Sequence, residues 1–358
     1  MNARTTDTQL IGTTLDGRFR ITELFSSGGM SVLYKGVDTT DHGVVAIRMM
    51  HAHRTVERDA VKRFEHGLKA IALLKHPNIV PALASGVSED GRPFIVTPFI
   101  AGISLREEIS KNGNLTPEQG IPVIEQIAAA LQYAHEQGIV HRNIKPGNII
   151  LFDENGRKHA YLTGFGIAKQ IDGTYQALGV LTQTNKVVGS PRYMSPEQFM
   201  NKQLDPRSDI YSFGCVCYEL FKGTPPFTVP SALEMASKHL LQYPERISAQ
   251  VPDFPPYLDD IVSAALLKKP EDRYQSADAL RADLKNQSCR IDVEGLRRKA
   301  PSGSAASAAA ATVAISNPLK KAGLILLFCL LIAFILSIAA HGLWFIPKQP
   351  TDYLGRPI

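Results

Sequence analysis

From Gly17 to Phe25 the stretch GRFRITELF alternates apolar and polar residues, the period of a half-buried β-strand. The small residues of SSGGMS (26–31) interrupt that alternation, and VLYKGVD (32–38) and GVVAIRMM (43–50) resume it, so the spacing predicts consecutive strands joined by tight turns. RDAVKRFEHGLKAIALLKH (58–76) places its apolar positions at helical spacing and stops before Pro77, and PFIVTPF (93–99) predicts a further strand. Beyond AGISLREEIS the period turns helical. TPEQGIPVIEQIAAALQYAHEQG (116–138) has Thr116 as N-cap, Pro117 in the first turn and Gly138 at its end, and SDIYSFGCVCYELFKG (208–223) is an apolar helix stopped by Gly223. A small strand-rich part followed by a larger helical part predicts an α+β architecture of two lobes with a cleft between them.

The pattern changes character near the C-terminus. LILLFCLLIAFILSIAA (324–340) carries no charge, and counted from Ala322 to Ile346 the apolar stretch is 25 residues long, enough to cross a bilayer core with some tilt. Lys320 and Lys321 precede it, Lys348 and Arg356 are the only basic residues after it, and Trp344 suits the far interface. The expected organisation is a flexible segment 1–17, a globular domain 18–288, an Ala/Ser-rich juxtamembrane linker 289–321, a transmembrane helix 322–346 and a short extracytoplasmic tail 347–358. This places the domain on the cytoplasmic side of the inner membrane as a single-pass protein. The start, MNARTTDTQLIGTT, has no apolar core of a signal peptide.

Composition narrows the picture a little. The net charge of +5 comes from 39 basic residues scattered among 34 acidic ones, with no long basic run, which weighs against a nucleic-acid binder. Four cysteines, Cys215, Cys217, Cys289 and Cys329, form no C-x-x-C pair and no disulfide framework. His51 and His53 in MMHAHR resemble a metal pair but fall at a strand end.

Eight ordered motifs then carry a resemblance: the Gly-rich turn, VVAIR, HPNIV, HRNIKPGN, GFGIAK, GSPRYMSPEQ, DPRSDIYSFG and EDRYQSADAL. The stretch from about Arg18 to Ser288 resembles a bacterial Ser/Thr protein kinase domain, which implies a β-rich N-lobe, a helical C-lobe and ATP in the cleft. The resemblance implies nucleotide contacts at Gly28, Val32, Ala46, Arg48, Pro98, Ile100, Asn148 and Ile150. It implies structural roles for Ile71, His141 and Phe165 in a column linking the lobes, for Glu197 with Arg273 as an ion pair, and for Asp209 as the anchor of the HRN loop. Thr182 and Thr184 lie in the activation segment, where Arg142 would pair with a phosphate added by a partner kinase.

Four reacting positions, and two hairpin glycines besides, depart from that family's pattern. Ser26 and Ser31 stand where two of three hairpin glycines are expected, and beyond the hairpin Arg48 replaces the lysine that pairs with the phosphates. Gly67 stands at the helix glutamate, Asn143 at the general base and Gly164 at the metal-binding aspartate. An amide accepts no proton from a hydroxyl, and glycine offers a hard cation such as Mg²⁺ no oxygen. Lys145, which would neutralise the γ-phosphate, and Asn148, a residual metal ligand, are kept. The residues that shape the fold match, and the residues that react do not. The expectation is a membrane-anchored pseudokinase, a regulatory or scaffold module that binds ATP without needing Mg²⁺ and engages other signalling proteins such as an active kinase. The alternative is a weak or unconventional ATP-dependent Ser/Thr kinase.

Overall fold

In a computed structural model of the chain the described residues are 7–28, 31–52, 68, 71–72, 74–165 and 191–299. They belong to the first of two compact units, Met1–Lys299; the second, Ala300–Ile358, lies wholly outside them. The apolar span 322–346 and its tail, together with Gly67, Thr182 and Thr184, therefore lie outside the described residues. Among the described residues no helix is long and apolar enough to cross a membrane.

The N-lobe is a six-stranded antiparallel sheet in the order β1-β2-β3-β4-β6-β5, with β1 Thr14–Leu15, β2 Phe19–Ser27, β3 Ser31–Asp38, β4 Val44–Met50, β5 Ala84–Val87 and β6 Pro93–Pro98. Its alternating sequences decide which side chains face which way. Along β3 every second residue is buried, so Val32 and Tyr34 join Ile21, Val45, Ile47, Met49, Phe94 and Val96 in one apolar cluster. The intervening Leu33 faces the cleft, with Ala46 and Arg48 beside it on β4. Val32 was expected to cover the nucleotide. It is fully buried on the opposite face, and the period of two assigns that place to Leu33 instead.

The N-terminal segment is not a loose lead-in. Residues from Asp7 onward are folded onto the N-lobe: Tyr34 Oη donates to the Asp7 carbonyl (3.0 Å), and the Asp7 carboxylate meets His51 Nδ1 (3.2 Å) and Arg92 Nη1 (3.4 Å). Arg92 is 1% exposed, so an acid brought to it by the chain terminus offsets a costly buried charge. His51 also reaches the Gly28 carbonyl through Nε2 (2.5 Å), which makes it a packing residue held by protein oxygens. Among the described residues no cluster of three or more His, Cys, Asp or Glu side chains is placed to hold a metal.

The C-lobe consists of α1 Leu105–Asn112, α2 Pro117–Glu136, α3 Pro196–Phe199, α4 Pro206–Lys222, α5 Ala232–Leu241, α6 Pro256–Ala265, α7 Ala277–Asn286 and α8 Val293–Lys299, with a three-stranded sheet β7-β8-β9 (Ile103–Ser104, Ile149–Glu154, Arg157–Leu162) under the cleft. The caps follow the sequence: the Gln119 side chain returns to the Thr116 N–H (3.2 Å), Asp205 caps α4, and Gly223 ends α4 at φ 83°. From Ser208 to Phe221 every residue of α4 is buried, including Cys215 and Cys217, whose thiols burial pushes well above their ordinary pKa.

The folded unit runs past Ser288, where the linker was expected to begin. Arg290 binds the buried Asp283, Arg246 Nη2 meets Glu294 (2.9 Å), Arg297 lies over the Tyr243 ring (5.0 Å), and Val293 is buried, so α8 is part of the C-lobe. These contacts are spread over polar residues that show no long apolar period, which is why the stretch reads as linker.

Glu197 and Arg273 form the expected pair, bidentate at 2.8 and 3.0 Å and almost completely buried. Arg273 also donates to the carbonyls of Leu267, Lys268 and Arg207, so its charge is satisfied from several elements. Burial alone would raise the Glu197 pKa, and the hydrogen bonds and charge of Arg273, with a smaller contribution from Ser208, outweigh it and hold the carboxyl below its ordinary value. Arg273→Met should cost about 3–5 kcal/mol, because it strands a buried carboxylate, and Glu197→Leu/Arg273→Met should cost less than the single change. Urea denaturation of the three proteins checks this ordering.

Candidate functional site

The HRN loop is shaped from below. Asp209, one turn into α4 and 1% exposed, accepts the backbone N–H of His141 (2.7 Å) and of Arg142 (2.7 Å), and His135 Nε2 also meets it (2.9 Å). Arg142 is held at φ 65°, a left-handed backbone that a non-glycine residue adopts only when its surroundings over-determine it. Its carbonyl accepts from Gln198 Nε2 (3.0 Å), and its buried Nε has no hydrogen-bond partner among the described residues. His141 is wholly buried. Its Nε2 lies 3.0 Å from the Thr163 carbonyl and its Nδ1 accepts the Asn143 N–H (3.2 Å), the pattern of a neutral imidazole with the proton on Nε2. Its ring packs 4.4 Å from Phe165, and Phe165 and Ile71 are both buried in the large core cluster.

Between the lobes lies a cleft of about 680 Å³. Leu33, Ala46, Thr97, Pro98, Phe99 and Ile100 supply its upper and rear walls, Ile150 on β8 lines it from below, and Phe25 stands edge-on to Phe99 (5.5 Å) on the same lining. Its floor carries Lys145, Gly147 and Asn148 from the loop, and Gly164 and Phe165 beyond β9. Asn143 is half-buried next to this floor but is not part of the lining. Gly28 does not line it either; its N–H donates to the Ser31 carbonyl (2.9 Å) and closes the hairpin.

The lining is unevenly charged. Arg48, Arg106, Lys145 and Arg192 all face the cleft, and Glu107 is the one acid among the described lining residues. Glu107 is committed to capping α1, accepting the Ser104 N–H at 3.0 Å. Arg48 and Lys145 have no carboxylate partner among the described residues. Burial lowers the Arg48 pKa; burial, then the neighbouring charges of Arg48 and Arg106, lowers that of Lys145. The sequence motifs had pointed to Arg48 and Lys145. Arg106 and Arg192 were not singled out, and the only signal for Arg106 was its place at the first turn of a helix beginning where the lobes join.

Among the described residues this floor offers a divalent cation a poor site. Mg²⁺ asks for near-octahedral oxygen ligands. Gly164 contributes no side chain, and the Asn148 amide, whose Nδ2 donates to the Asn143 carbonyl (2.8 Å), has only its Oδ1 to offer. Gly164 sits at φ 80°, and a Cβ added there would lie 2.9 Å from the Asn148 amide. The space into which a carboxylate at 164 would have to grow is filled by Asn148.

Comparison with known proteins shows the family and the fold. The protein kinase domain family matches residues 19–284. The chain is 37% identical over 273 residues to serine/threonine-protein kinase PknB of Mycobacterium tuberculosis (strain ATCC 25618 / H37Rv), which covers 75% of this chain and 43% of that protein. It is 34% identical over 323 residues to serine/threonine-protein kinase pkn3 of Myxococcus xanthus, covering 89% of this chain and 58% of that protein. The chain thus spans less than half of the length of PknB and little more than half of pkn3. Among solved structures, the M. tuberculosis PknI kinase domain superposes with a TM-score of 0.61 at 24% identity over 78% of this chain and 99% of that one, a likeness of fold.

Burial drives the His141 pKa down to about 4, against the opposing pull of Asp209. Because the unfolded imidazole titrates near 6.5, the unfolded state binds the proton first as pH falls. Stability is therefore complete above about pH 6.5, drops by about 3 kcal/mol on the way to pH 4, and has no further His141 slope below that. His239, pushed by burial to about 3, adds to the loss with the same sign. Denaturation midpoints at pH 7, 5.5 and 4 should fall less steeply in His141→Gln than in the parent.

Proposed function

The chain belongs to the protein kinase family, alongside bacterial serine/threonine kinases, and we propose that within it this protein is a pseudokinase: a kinase-shaped module that binds nucleotide and partner proteins in place of transferring phosphate efficiently. One observation carries this reading. The HRN loop is anchored by Asp209 and apolar side chains line the cleft, which supports a binding role, while the two positions that the resemblance assigns to base and metal are Asn143 and Gly164, neither of which supplies a carboxylate. Loss of a general base costs about 10²–10⁴ in rate. Phosphoryl transfer relies on positioning and charge neutralisation, so loss of the metal site removes a second contribution. Gly67, at the position of the helix glutamate, removes the ion pair that would hold a lysine at position 48.

We further propose that residues 322–346 anchor the module to the inner membrane with its lobes in the cytoplasm, and that its partners are other signalling proteins, an active kinase among them. The uncharged run 324–340 and the lysines at 320 and 321 support this. A weak kinase is the competing reading, and the retained Lys145 and Asn148 favour it.

Radiolabelled phosphotransfer with the full-length chain, Mg²⁺ and ATP separates the two readings. The expected result is incorporation no greater than that of Asn148→Ala; metal-dependent transfer abolished by Asn148→Ala would overturn the pseudokinase reading. Asn143→Asp/Gly164→Asp should remain inactive, because the new side chain at 164 must displace the Asn148 amide from a left-handed backbone position and because Gly67 is unchanged. Robust transfer by that double variant would contradict this account.

A further inference from the structure

The charge of the cleft says which form of nucleotide it takes. A kinase that reads Mg²⁺–ATP balances its lysine and its metal against carboxylates on the cleft floor. Here the floor carries no carboxylate among the described residues, and it does carry cations. Arg48 enters from β4 and Lys145 from the loop. Arg106 reaches over from α1: a Cβ added at Gly147 would lie 3.8 Å from Arg106 Nε, so this guanidinium passes beside the residue midway between Lys145 and Asn148. Arg106 Nη2 donates to Tyr193 Oη (3.0 Å), and the Tyr193 hydroxyl donates in turn to Glu219 Oε2 (2.5 Å), which fixes the guanidinium at the cleft wall. Three cations from three elements thus converge on one pocket. Among the described residues the single lining acid, Glu107, is occupied as a helix cap.

We infer that this cleft selects the metal-free triphosphate, with Arg48, Lys145 and Arg106 supplying the positive charge that a metal ion supplies elsewhere, and that Mg²⁺ weakens binding by competing for the ligand. The inference rests on the nucleotide reading above and adds the ionic form of the ligand. Its physical basis is simple. Mg²⁺ bound to the phosphates cancels part of the charge that the three side chains attract, and it brings into the pocket a further cation that faces three others, with Glu107 the single acid among the described lining residues. In a cleft partly screened from water, each such contact is stronger than at the surface. The preference is therefore opposite to that of an enzyme whose floor carries paired acids.

The test is isothermal titration of the full-length chain with two probes, ATP and inorganic tripolyphosphate, each in EDTA and again with Mg²⁺ in excess over the ligand. Both probes should bind in EDTA, and the apparent Kd of each should rise about tenfold or more with Mg²⁺, tenfold being 1.4 kcal/mol. Lys145→Met and Arg106→Ala should each weaken both probes in EDTA by about tenfold, and Lys145→Arg should restore most of the loss, the charge being kept. Tighter binding in Mg²⁺, or no binding of tripolyphosphate in EDTA, would overturn the inference. If ATP binds equally with and without Mg²⁺ and is indifferent to Lys145→Met, the nucleotide reading stands and this inference fails. If tripolyphosphate follows the expected pattern and ATP binds no tighter, the cation site stands and the adenine wall reads nothing.

Discussion

The carboxylate of Asp209 holds the floor of the cleft in shape. It is buried in α4, a helix with almost no exposed residue, and it accepts two consecutive backbone N–H groups from the HRN loop. A charged acceptor of that kind is stronger than a neutral one, and in a dry site it is costly to leave unmatched, so the loop backbone is fixed independently of what its side chains do. The left-handed Arg142, the neutral His141 beneath Phe165, and the Asn148 amide turned back on the loop all follow from that one anchor. A fold held this way tolerates exchange of its reacting groups. Asn143 can stand where an acid is expected because nothing in the anchor uses its side chain.

The cations of the cleft stand apart from such an anchor. Arg48 and Lys145 lie in a partly desolvated pocket, and burial together with mutual repulsion lowers the proton affinity of Lys145. The proposed preference for a metal-free anion rests on that concentration of positive charge. Structural ion pairs behave differently: Glu197 and Arg273 remain matched in the core, where an unmatched partner would be expensive. The contrast separates charges kept for the fold from charges left at a site.

Much of the architecture was legible from periodicity. The alternation in β2, β3 and β4, the cap at Thr116 and the stop at Gly223 all appear where local chemistry places them. The motif residues Ala46, Arg48, Pro98, Ile100, Lys145, Asn148 and Ile150 do come together on one lining. The misplacement of Val32 was an error of one residue, and in a strand one residue exchanges the two faces. The docked N-terminal segment and α8 were read as loose because each is held by a few polar contacts to distant residues: Asp7 to His51 and Arg92, Arg290 to Asp283, Glu294 to Arg246. No local pattern marks such pairs.

The sequence by itself determined the family, the order of the elements and the identity of every group at the reacting positions, because periodicity, caps and motif spacing are local properties of the chain. It also determined that no carboxylate is present at 143 or 164. Only the tertiary structure decided that Arg106 joins Arg48 and Lys145, that Glu107 is spent as a cap, and that Asn148 fills the space beside Gly164. Those facts depend on separate elements converging on one cleft. Convergence across long stretches of chain is set by packing of the whole domain, and no window of sequence contains it.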